Sequence, residues 1–335
     1  MIIFMIIRLK PLVQTHISEV YNMAYEFREY PERSWSISNH NIFKQCKRKY
    51  YLNCYAHWNG WESSSSKFAK QAYRLKKLED AYTASGTYIH DVIKSVILQK
   101  YSTPEKMYNE VIAKLKVACM QSIRNKEDWI RRPKQYTMLH EYYYNGIFPD
   151  SLANEIKERT IICCNNLFKS RSFQEIMEDC IEIIESDEKG EFPNFMFQNM
   201  KIYSTLDVLY KFNDEIVIVD WKTGQPDDNQ HRLQMLTYVL YVIDKYNIRD
   251  IEKIRCVDEY LLTRERFTNI FEEKDLSEIR EYVQSSIGEM NTYLEDAVLN
   301  KPKEMNAFPT NPSKLCSKCN FLELCPDASC SIKSV

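Results

Sequence analysis

The stretch EIVIVDWKTG, residues 215–224, limits what this chain can fold into more than any other feature. Its apolar run has the length and the β-branched content of a strand that is buried in a sheet. The run ends in Asp220 and Lys222, and charged side chains at such a point need partners or water. The segment NQHRLQMLTYVLYVIDKY, which has strong helical spacing, follows closely. We therefore expect a strand with charged groups at its end and a helix after it.

Apolar spacing separates a helical part of the chain from a part that contains strands. It predicts helices over 38–58, 104–124 and 150–172 and one or two helices over 67–100, with residues 129–146 as an interruption. Strands are predicted at DCIEIIESDE, MKIYSTLDVLYKF and EIVIVDWKTG, one or two more at IEKIRCVDEYLLTRE, and a long helix at SEIREYVQSSIGEMNTYLEDAV. This order predicts an α/β fold, in which a mixed sheet core is flanked by helices and carries a helical insertion.

A short turn is predicted between the second and third of these strands. Asn213 and Asp214 in the connecting segment FNDE are turn formers that tolerate positive φ. A two-residue turn at this position places Asp207 directly opposite Asp220, with Cβ atoms roughly 5 Å apart. Because side chains alternate along a strand, Lys222 lies on the same face as Asp220.

Two facing carboxylates repel each other unless a cation lies between them. Oxygen ligands favour Mg²⁺ or Mn²⁺. A nearby lysine can orient an attacking water molecule or stabilise developing negative charge, so the combination suits hydrolysis of a phosphodiester. A salt bridge between Lys222 and either aspartate is the structural alternative, and the hairpin alone does not separate the two interpretations.

The C-terminal run CSKCNFLELCP has the spacing of a metal site. Cys316, Cys319, Cys325 and the later Cys330 could form a zinc knuckle. A set that takes Cys46 in place of Cys330 would suit a [4Fe–4S] cluster, which is also held by thiolates. Spacing alone leaves both metals open.

Together, Asp207 and the DWKTG motif resemble the PD-(D/E)XK nuclease core in its RecB-type branch, similar to CRISPR-adaptation and AddB-type nuclease domains. The resemblance spans residues 36–326 and includes four further motifs in order. These are FKQCKRKY with Cys46, GTYIH with Gly86 just before a helix and His90 within it, QMLTY with Gln234 and Tyr238, and CSKCNFLELCP with Cys316, Cys319 and Cys325. One departure is Ser204, where the family often has glycine.

The resemblance implies a restriction-endonuclease-like fold and a role for each motif. The implied ligands of one or two Mn²⁺ or Mg²⁺ ions are the side chains of His90, Asp207 and Asp220 and the carbonyl of Trp221. The implied catalytic residues are Asp207, Asp220, Lys222, which assists the attacking water, and Gln234 and Tyr238, which hold the substrate strand or orient Lys222. The implied cluster ligands are Cys46, Cys316, Cys319 and Cys325, with structural zinc as the alternative.

The same resemblance implies how the chain is organised. Residues 1–60 form an N-terminal segment with the first cluster cysteine, and residues 61–178 form a helical region with the motif histidine. Residues 179–300 form the nuclease core. Residues 301–335 form a cysteine-rich segment, in which the cluster acts as a structural staple to the N-terminal helix.

We therefore expect a metal-dependent deoxyribonuclease that acts on DNA ends or on single-stranded or frayed DNA. The alternative is a DNA-binding or scaffolding subunit of a larger repair, CRISPR-adaptation or antiviral defence complex. The chain has no G-x-x-x-x-G-K-[ST] motif, so a helicase partner is plausible in either case.

Charge limits how nucleic acid can bind. The formal net charge is −2, so binding requires a local basic groove and metal ions. Basic and aromatic residues interleave at 46–51, 67–77 and 124–136, which suits a path for a single strand, although solvated helix faces are the structural alternative. No apolar stretch, including the initial MIIFMIIRLK, approaches membrane-spanning length, so we expect a soluble cytoplasmic protein.

Overall fold

The computed structural model describes residues 27–99, 102–177, 182–186, 192–226 and 228–327. The initial segment MIIFMIIRLK lies outside the described residues, as does Cys330. Within the described part, no helix combines the length and the apolar character needed to cross a bilayer.

Helices dominate the chain up to residue 177, as the spacing predicted. The α-helices are α1 (Ile37–Gln45), α2 (Lys47–Tyr51), α3 (Lys67–Lys76), α4 (Ala81–Gln99), α5 (Pro104–Arg124), α6 (Lys126–Arg131), α7 (His140–Asn145), α8 (Asp150–Leu167), α9 (Arg171–Met177), α10 (Asp228–Tyr246) and α11 (Glu273–Asn291). A π-helical turn at Leu52–Ala56 extends α2. The predicted interruption at 129–146 contains the end of α6 and all of α7.

The strands form one five-stranded sheet and smaller sheets beside it. They are β1 (Ser34–Trp35), β2 (Leu78–Glu79), β3 (Met138–Leu139), β4 (Glu182–Ser186), β5 (Asn194–Phe197), β6 (Met200–Tyr203), β7 (Val208–Phe212), β8 (Glu215–Lys222), β9 (Ile254–Tyr260), β10 (Arg266–Ile270), β11 (Leu294–Asp296) and β12 (Lys301–Pro302). The main sheet has the order β10-β9-β8-β7-β4, in which only the β8–β9 pair is parallel. A parallel pair needs a crossover, and α10 provides it.

Both faces of the main sheet are buried, which explains the apolar run in β8. Ile218 packs with α10 and α11 on one face, whereas Val217 and Val219 pack with α4, α5, α8 and α9 on the other. The result is a mixed α/β architecture in which sheets are flanked by helices, consistent with a restriction-endonuclease-like fold. The predicted fold class is therefore confirmed, and the four-segment division stays a prediction.

The single strand predicted at MKIYSTLDVLYKF is wrong. The segment forms β6 and β7, which belong to different sheets: β6 pairs with β1 and β5, and β7 pairs with β4 and β8. Between them the Ser204 N–H donates to the carbonyl of Pro193 over 2.9 Å. This contact continues the β5–β6 register by one pair, and the chain then passes to the main sheet, where Asp207 directly precedes β7.

Candidate active site

The β7–β8 hairpin has the predicted register. Phe212 lies opposite Glu215, so the turn consists of two residues, and Asn213 has a φ of 55° in the left-handed region. Val208 lies opposite Val219, which leaves Asp207 at the same end of the hairpin as Asp220. The Asp207 Oδ2 atom accepts a hydrogen bond from the Trp221 N–H over 2.8 Å. The turn therefore brings both carboxylates to one edge of the sheet.

His90 reaches this edge from α4. Asp80 caps the helix, because its Oδ1 accepts the N–H groups of Tyr82 and Thr83. Ten residues beyond that cap, the His90 Nδ1 lies 3.0 Å from the Asp207 Oδ1. The pair of His90 and Asp207 therefore joins the helical part of the chain to the sheet.

Each member of this pair favours the charged form of the other. Burial opposes protonation of His90, but the Asp207 carboxylate outweighs it and raises the pKa of His90. Burial likewise opposes ionisation of Asp207, but His90 and the Trp221 N–H lower the pKa of Asp207 below its ordinary value. Asp207 is therefore a carboxylate at neutral pH.

Gly86 lies inside α4, so its predicted place just before a helix is wrong. A Cβ atom at Gly86 would lie 3.1 Å from the Oγ1 of Thr223, the residue that follows Lys222. The missing side chain lets α4 approach the end of β8. The glycine thus serves a close approach between elements and not a turn.

Asp220, Lys222, Gln234 and Tyr238 form a closed ring of polar contacts. The Lys222 Nζ pairs with the Asp220 Oδ2 and donates to the Gln234 Oε1 over 2.9 Å. The Gln234 Nε2 donates to the Tyr238 hydroxyl over 2.5 Å, and that hydroxyl donates to the Asp220 Oδ1 over 3.0 Å. Gln234 and Tyr238 lie four residues apart on α10 and so share the face that covers the sheet.

Electrostatics holds the ring in one protonation state. Burial opposes the charge on Lys222, but Asp220 outweighs it and raises the pKa of the ammonium group. Burial and then the Asp220 charge raise the pKa of Tyr238 well above its ordinary value, so the phenol keeps its proton. Lys222 is therefore an ammonium ion next to the carboxylates. The salt bridge that was the structural alternative exists, and it is part of this ring.

Trp221 and Ser204 are each held in position by contacts of their own. The Trp221 main chain faces Asp207, but its indole is buried on the opposite face, where Nε1 lies 3.2 Å from the Glu259 Oε2. Ser204 is buried, and its hydroxyl donates to the Thr237 carbonyl over 3.3 Å. The serine that replaces the common family glycine is therefore accommodated by a partner on α10.

Asp258 is a site residue that sequence reasoning missed. It lies directly beside Asp220 in the parallel β8–β9 register, is only 4% exposed, and its Oδ1 has no hydrogen-bond partner among the described residues. Burial and then the Asp220 charge raise the pKa of Asp258 to about 7. The sequence contained a signal for this residue. The apolar run of β9 also ends in an aspartate, and a crossover that makes two strands parallel places such strand ends side by side.

The oxygen and imidazole donors at this edge suit a hard divalent cation. Their present contacts are with each other: Lys222 pairs with Asp220, and His90 pairs with Asp207. Within the described part of the chain, no three His, Cys, Asp or Glu side chains are gathered closely enough to hold a metal ion as they stand. The edge therefore contains side chains that can bind a metal ion, and these side chains are paired with one another in this structure.

The four predicted cluster cysteines, Cys46, Cys316, Cys319 and Cys325, line one cavity of about 40 Å³, called here the cysteine cavity. Cys46 separates α1 from α2, and its Sγ accepts the Lys49 N–H over 3.4 Å. Burial raises the pKa of the Cys319 and Cys325 thiols. The thiols thus converge from both ends of the described chain.

Direct contacts also hold the two sides of the cysteine cavity together. The Arg48 Nε donates to the Phe308 carbonyl over 2.9 Å, and the Asn311 Nδ2 donates to the Gln45 carbonyl over 2.8 Å. Arg48 is buried where it makes this contact. The basic stretch at 46–51 therefore packs against the C-terminal segment and is not an exposed path for a DNA strand.

Comparison with known proteins agrees with this geometry. The family model of the PD-(D/E)XK nuclease superfamily matches residues 34–326, a range that includes both the sheet edge and the cysteine cavity. No curated protein matches the chain with significant similarity. Since the family model covers most of the chain, this protein belongs to the PD-(D/E)XK nuclease superfamily.

Proposed function

We propose that the protein is a metal-dependent deoxyribonuclease of the RecB-type branch that hydrolyses phosphodiester bonds at the sheet edge of Asp207, Asp220 and Lys222. The observation that carries the proposal is the ion pair of the Lys222 ammonium with Asp220, at the end of the hairpin where the Asp207 carboxylate also lies. Family membership supports the reaction class. The motif order from His90 to Tyr238 supports the branch.

The donor set at this edge fits Mn²⁺ or Mg²⁺. Asp207, Asp220 and His90 would hold the ion, with the Trp221 carbonyl as a further ligand. The Oδ1 of the buried Asp258 has no hydrogen-bond partner among the described residues. This also fits a cation site, because burial of a carboxylate oxygen without a partner costs free energy. When bound, the cation supplies positive charge to the phosphate oxygens and lowers the pKa of nearby water.

The chain's own residues have separate tasks in this proposal. Lys222 orients the attacking water and stabilises charge on the phosphate, and the contacts of Gln234 and Tyr238 hold Lys222 and Asp220 in place. His90 and the Trp221 N–H hold Asp207. Water adds its hydroxyl to phosphorus, the bond to the 3′ oxygen breaks, and that oxygen takes the remaining proton. The products are a 5′-phosphate and a 3′-hydroxyl.

A cleavage assay with matched variants tests the proposal. Labelled single-stranded and double-stranded DNA, each in linear and circular form, is incubated with the protein and Mn²⁺ or Mg²⁺. We expect cleavage of linear single-stranded or frayed DNA, and its loss in Asp220→Asn and Lys222→Met. Asp214→Asn is the control, because it makes the same isosteric change in the exposed turn at the other end of the hairpin. DNA binding without cleavage in any divalent metal would favour the scaffolding function instead.

We also propose that Cys46, Cys316, Cys319 and Cys325 hold a [4Fe–4S] cluster with a structural role. Support comes from their shared cavity and from the soft, thiolate-only donor set. The cluster would reinforce the contacts of Arg48 and Asn311 across the cavity.

Iron analysis and visible absorption of anaerobically purified protein test the cluster. We expect a brown protein that contains iron, with loss of both signals in Cys319→Ser. Cys119→Ser on α5 is the matched control, because this thiol lies in a different part of the molecule. Colourless protein that contains zinc and no iron would contradict the cluster.

A further inference from the structure

The structure brings together two of the basic and aromatic stretches that the sequence analysis singled out. The stretch 67–77 forms α3, and the stretch 124–136 forms α6 and the segment after it. With the loop 57–66, they enclose a groove of about 300 Å³, called here the basic groove. We propose that the basic groove binds single-stranded DNA, and this proposal rests on the proposed nuclease function.

The walls of the basic groove are held by specific contacts. The Arg74 Nε donates to the Ile130 carbonyl over 2.8 Å, which joins α3 to α6. The Lys70 Nζ donates to the Ser63 carbonyl over 2.6 Å, which joins α3 to the loop. A Cβ atom at Gly60 would lie 2.3 Å from the Ala69 carbonyl oxygen, so glycine is required for the loop to lie against α3. The shape of the groove is therefore fixed by specific contacts between its walls.

The charge of the basic groove is strongly positive on a protein with a net charge of −2. Among its described lining residues, one acid, Glu62, faces five cations: Lys70, Arg74, Arg131, Arg132 and Lys134. Burial and then the nearby Lys134 charge lower the pKa of Lys77, at the end of α3. Cations crowded in this way repel one another, and a polyanion relieves that repulsion.

An aromatic ring accompanies the cations. Trp61 is 37% exposed at the groove, and its ring is supported edge-on by Trp58 and Tyr73 at centroid distances of 5.1 and 5.6 Å. The Lys134 Nζ lies 5.9 Å from the Trp61 ring centroid. A supported indole beside a cation is the arrangement that stacks a base while it neutralises the adjacent phosphate.

The size and place of the groove favour a single strand. Its volume is at the lower end of the range for pockets that enclose small molecules, so it suits one or two nucleotides and cannot enclose a duplex. Lys77 is followed by β2 and then by α4, which carries His90. The groove and the proposed metal-binding histidine therefore lie on consecutive elements, with His90 about 14 Å along α4 from its first residue.

Binding measured without cleavage tests the basic groove. Fluorescence anisotropy of labelled oligothymidylate is recorded with the full chain in EDTA, over a range of salt concentrations, and the oligonucleotide is checked for integrity. We expect Arg132→Ala/Lys134→Ala to weaken binding about tenfold at low salt. We also expect it to lower the slope of log K against log salt by about 1.4, because two phosphate contacts are lost.

Two further variants separate charge from stacking. Trp61→Ala should weaken binding by at least about fivefold with an unchanged salt slope, and Trp61→Phe should retain most of the affinity. Lys211→Ala/Lys253→Ala is the charge-matched control, because both lysines are exposed at the opposite end of the main sheet from Asp220. The control should bind like the wild type.

Equal binding by the groove variants and the control would overturn the proposal, as would equal losses for duplex and single-stranded probes. Hydrogen exchange of the wild-type protein with oligothymidylate is a check that needs no variant. Protection is expected at 57–66 and 126–136, and unchanged exchange there would contradict the groove. If the wild type binds through the groove but cleaves in no metal, the nuclease function fails and the groove stands. If it cleaves but the groove variants bind normally, the groove fails and the nuclease function stands.

Discussion

The sheet edge and the cysteine cavity are built from similar numbers of reactive side chains but are completed in different ways. At the sheet edge, Asp207 and Asp220 lie at one end of the β7–β8 hairpin, where Asp207 pairs with His90 and Asp220 pairs with Lys222. At the cysteine cavity, Cys46 meets thiols from the far end of the chain. Its walls are joined by neutral and cationic hydrogen bonds to main-chain carbonyls.

Because of this difference, we expect mutations in the two regions to have different effects. The sheet edge keeps its shape through internal charge pairs, so a lost group there removes chemistry before it removes the fold. The proposed cluster at the cysteine cavity would close a loop over most of the chain, and a cross-link at such a position stabilises mainly by reducing the entropy of the unfolded state. We therefore expect variants at the edge to affect activity most and variants at the cavity to affect stability most.

Lys222→Met should produce the largest effect, a loss of about 10³-fold or more in kcat/KM, because the ammonium beside the reacting phosphate is removed. In EDTA the variant should also lose about 3 kcal/mol of unfolding free energy, since Asp220 keeps its buried charge without its cation. Addition of Mn²⁺ should restore part of that stability. Steady-state kinetics and urea unfolding with and without metal measure both effects, and unchanged kcat/KM would contradict the proposed role.

Cys319→Ser should affect stability more than activity, the opposite of Lys222→Met. We expect a loss of about 4 kcal/mol of unfolding free energy, the amount for a cross-link that closes a long loop, together with loss of iron. The remaining folded protein should cleave DNA with a kcat within about tenfold of the wild type, since the cavity contributes no group to the sheet edge. Urea unfolding and single-turnover assays at low temperature check this. A variant with full stability and no activity would break the comparison.

Asp258→Asn sharpens the comparison through pH. The pKa of Asp258 is raised to about 7, so the native state holds this proton more tightly than the unfolded chain. In EDTA the wild-type unfolding free energy should therefore carry a contribution that is full below about pH 4 and is lost as the pH rises to about 7. Above pH 7 the buried charge should cost about 4 kcal/mol.

The amide variant has no such proton, so its stability relative to the wild type should rise across the same pH range and then level off. Urea unfolding of both proteins at closely spaced pH values from 4 to 8 measures the difference. Parallel stability curves would show that Asp258 is not a strained buried acid. A smaller difference in Mn²⁺ than in EDTA is expected if the carboxylate faces the bound cation.

Tyr238→Phe should have the smallest effect, about tenfold in kcat and about 1 kcal/mol in stability, because one hydroxyl is lost between Gln234 and Asp220. Tyr241→Phe is the matched control on the same helix, where the lost hydroxyl is one that accepts from Lys245 at a distance from the sheet edge. We expect a similar stability loss there and an unchanged kcat. Equal kcat losses in the two variants would indicate a general effect on α10.

Local sequence patterns predicted the parts of the site that depend on local geometry. The two-residue turn at Asn213 and Asp214 set the register, and the period of two along β8 set the shared face of Asp220 and Lys222. The four-residue spacing on α10 placed Gln234 and Tyr238 together. Each of these relations involves residues close in the chain or joined by a short turn, so the number of possible geometries is small.

Other features were decided only by tertiary structure. Asp258 lies beside Asp220 because a helical crossover makes β9 parallel to β8, and Gly86 lets α4 approach Thr223 closely. The split of β6 from β7 and the walls of the basic groove likewise depend on packing between distant segments. The sequence by itself determined which side chains share a face of one element. The packing of those elements decided which faces meet, because the free energy of burial depends on the whole core and not on the spacing within any one segment.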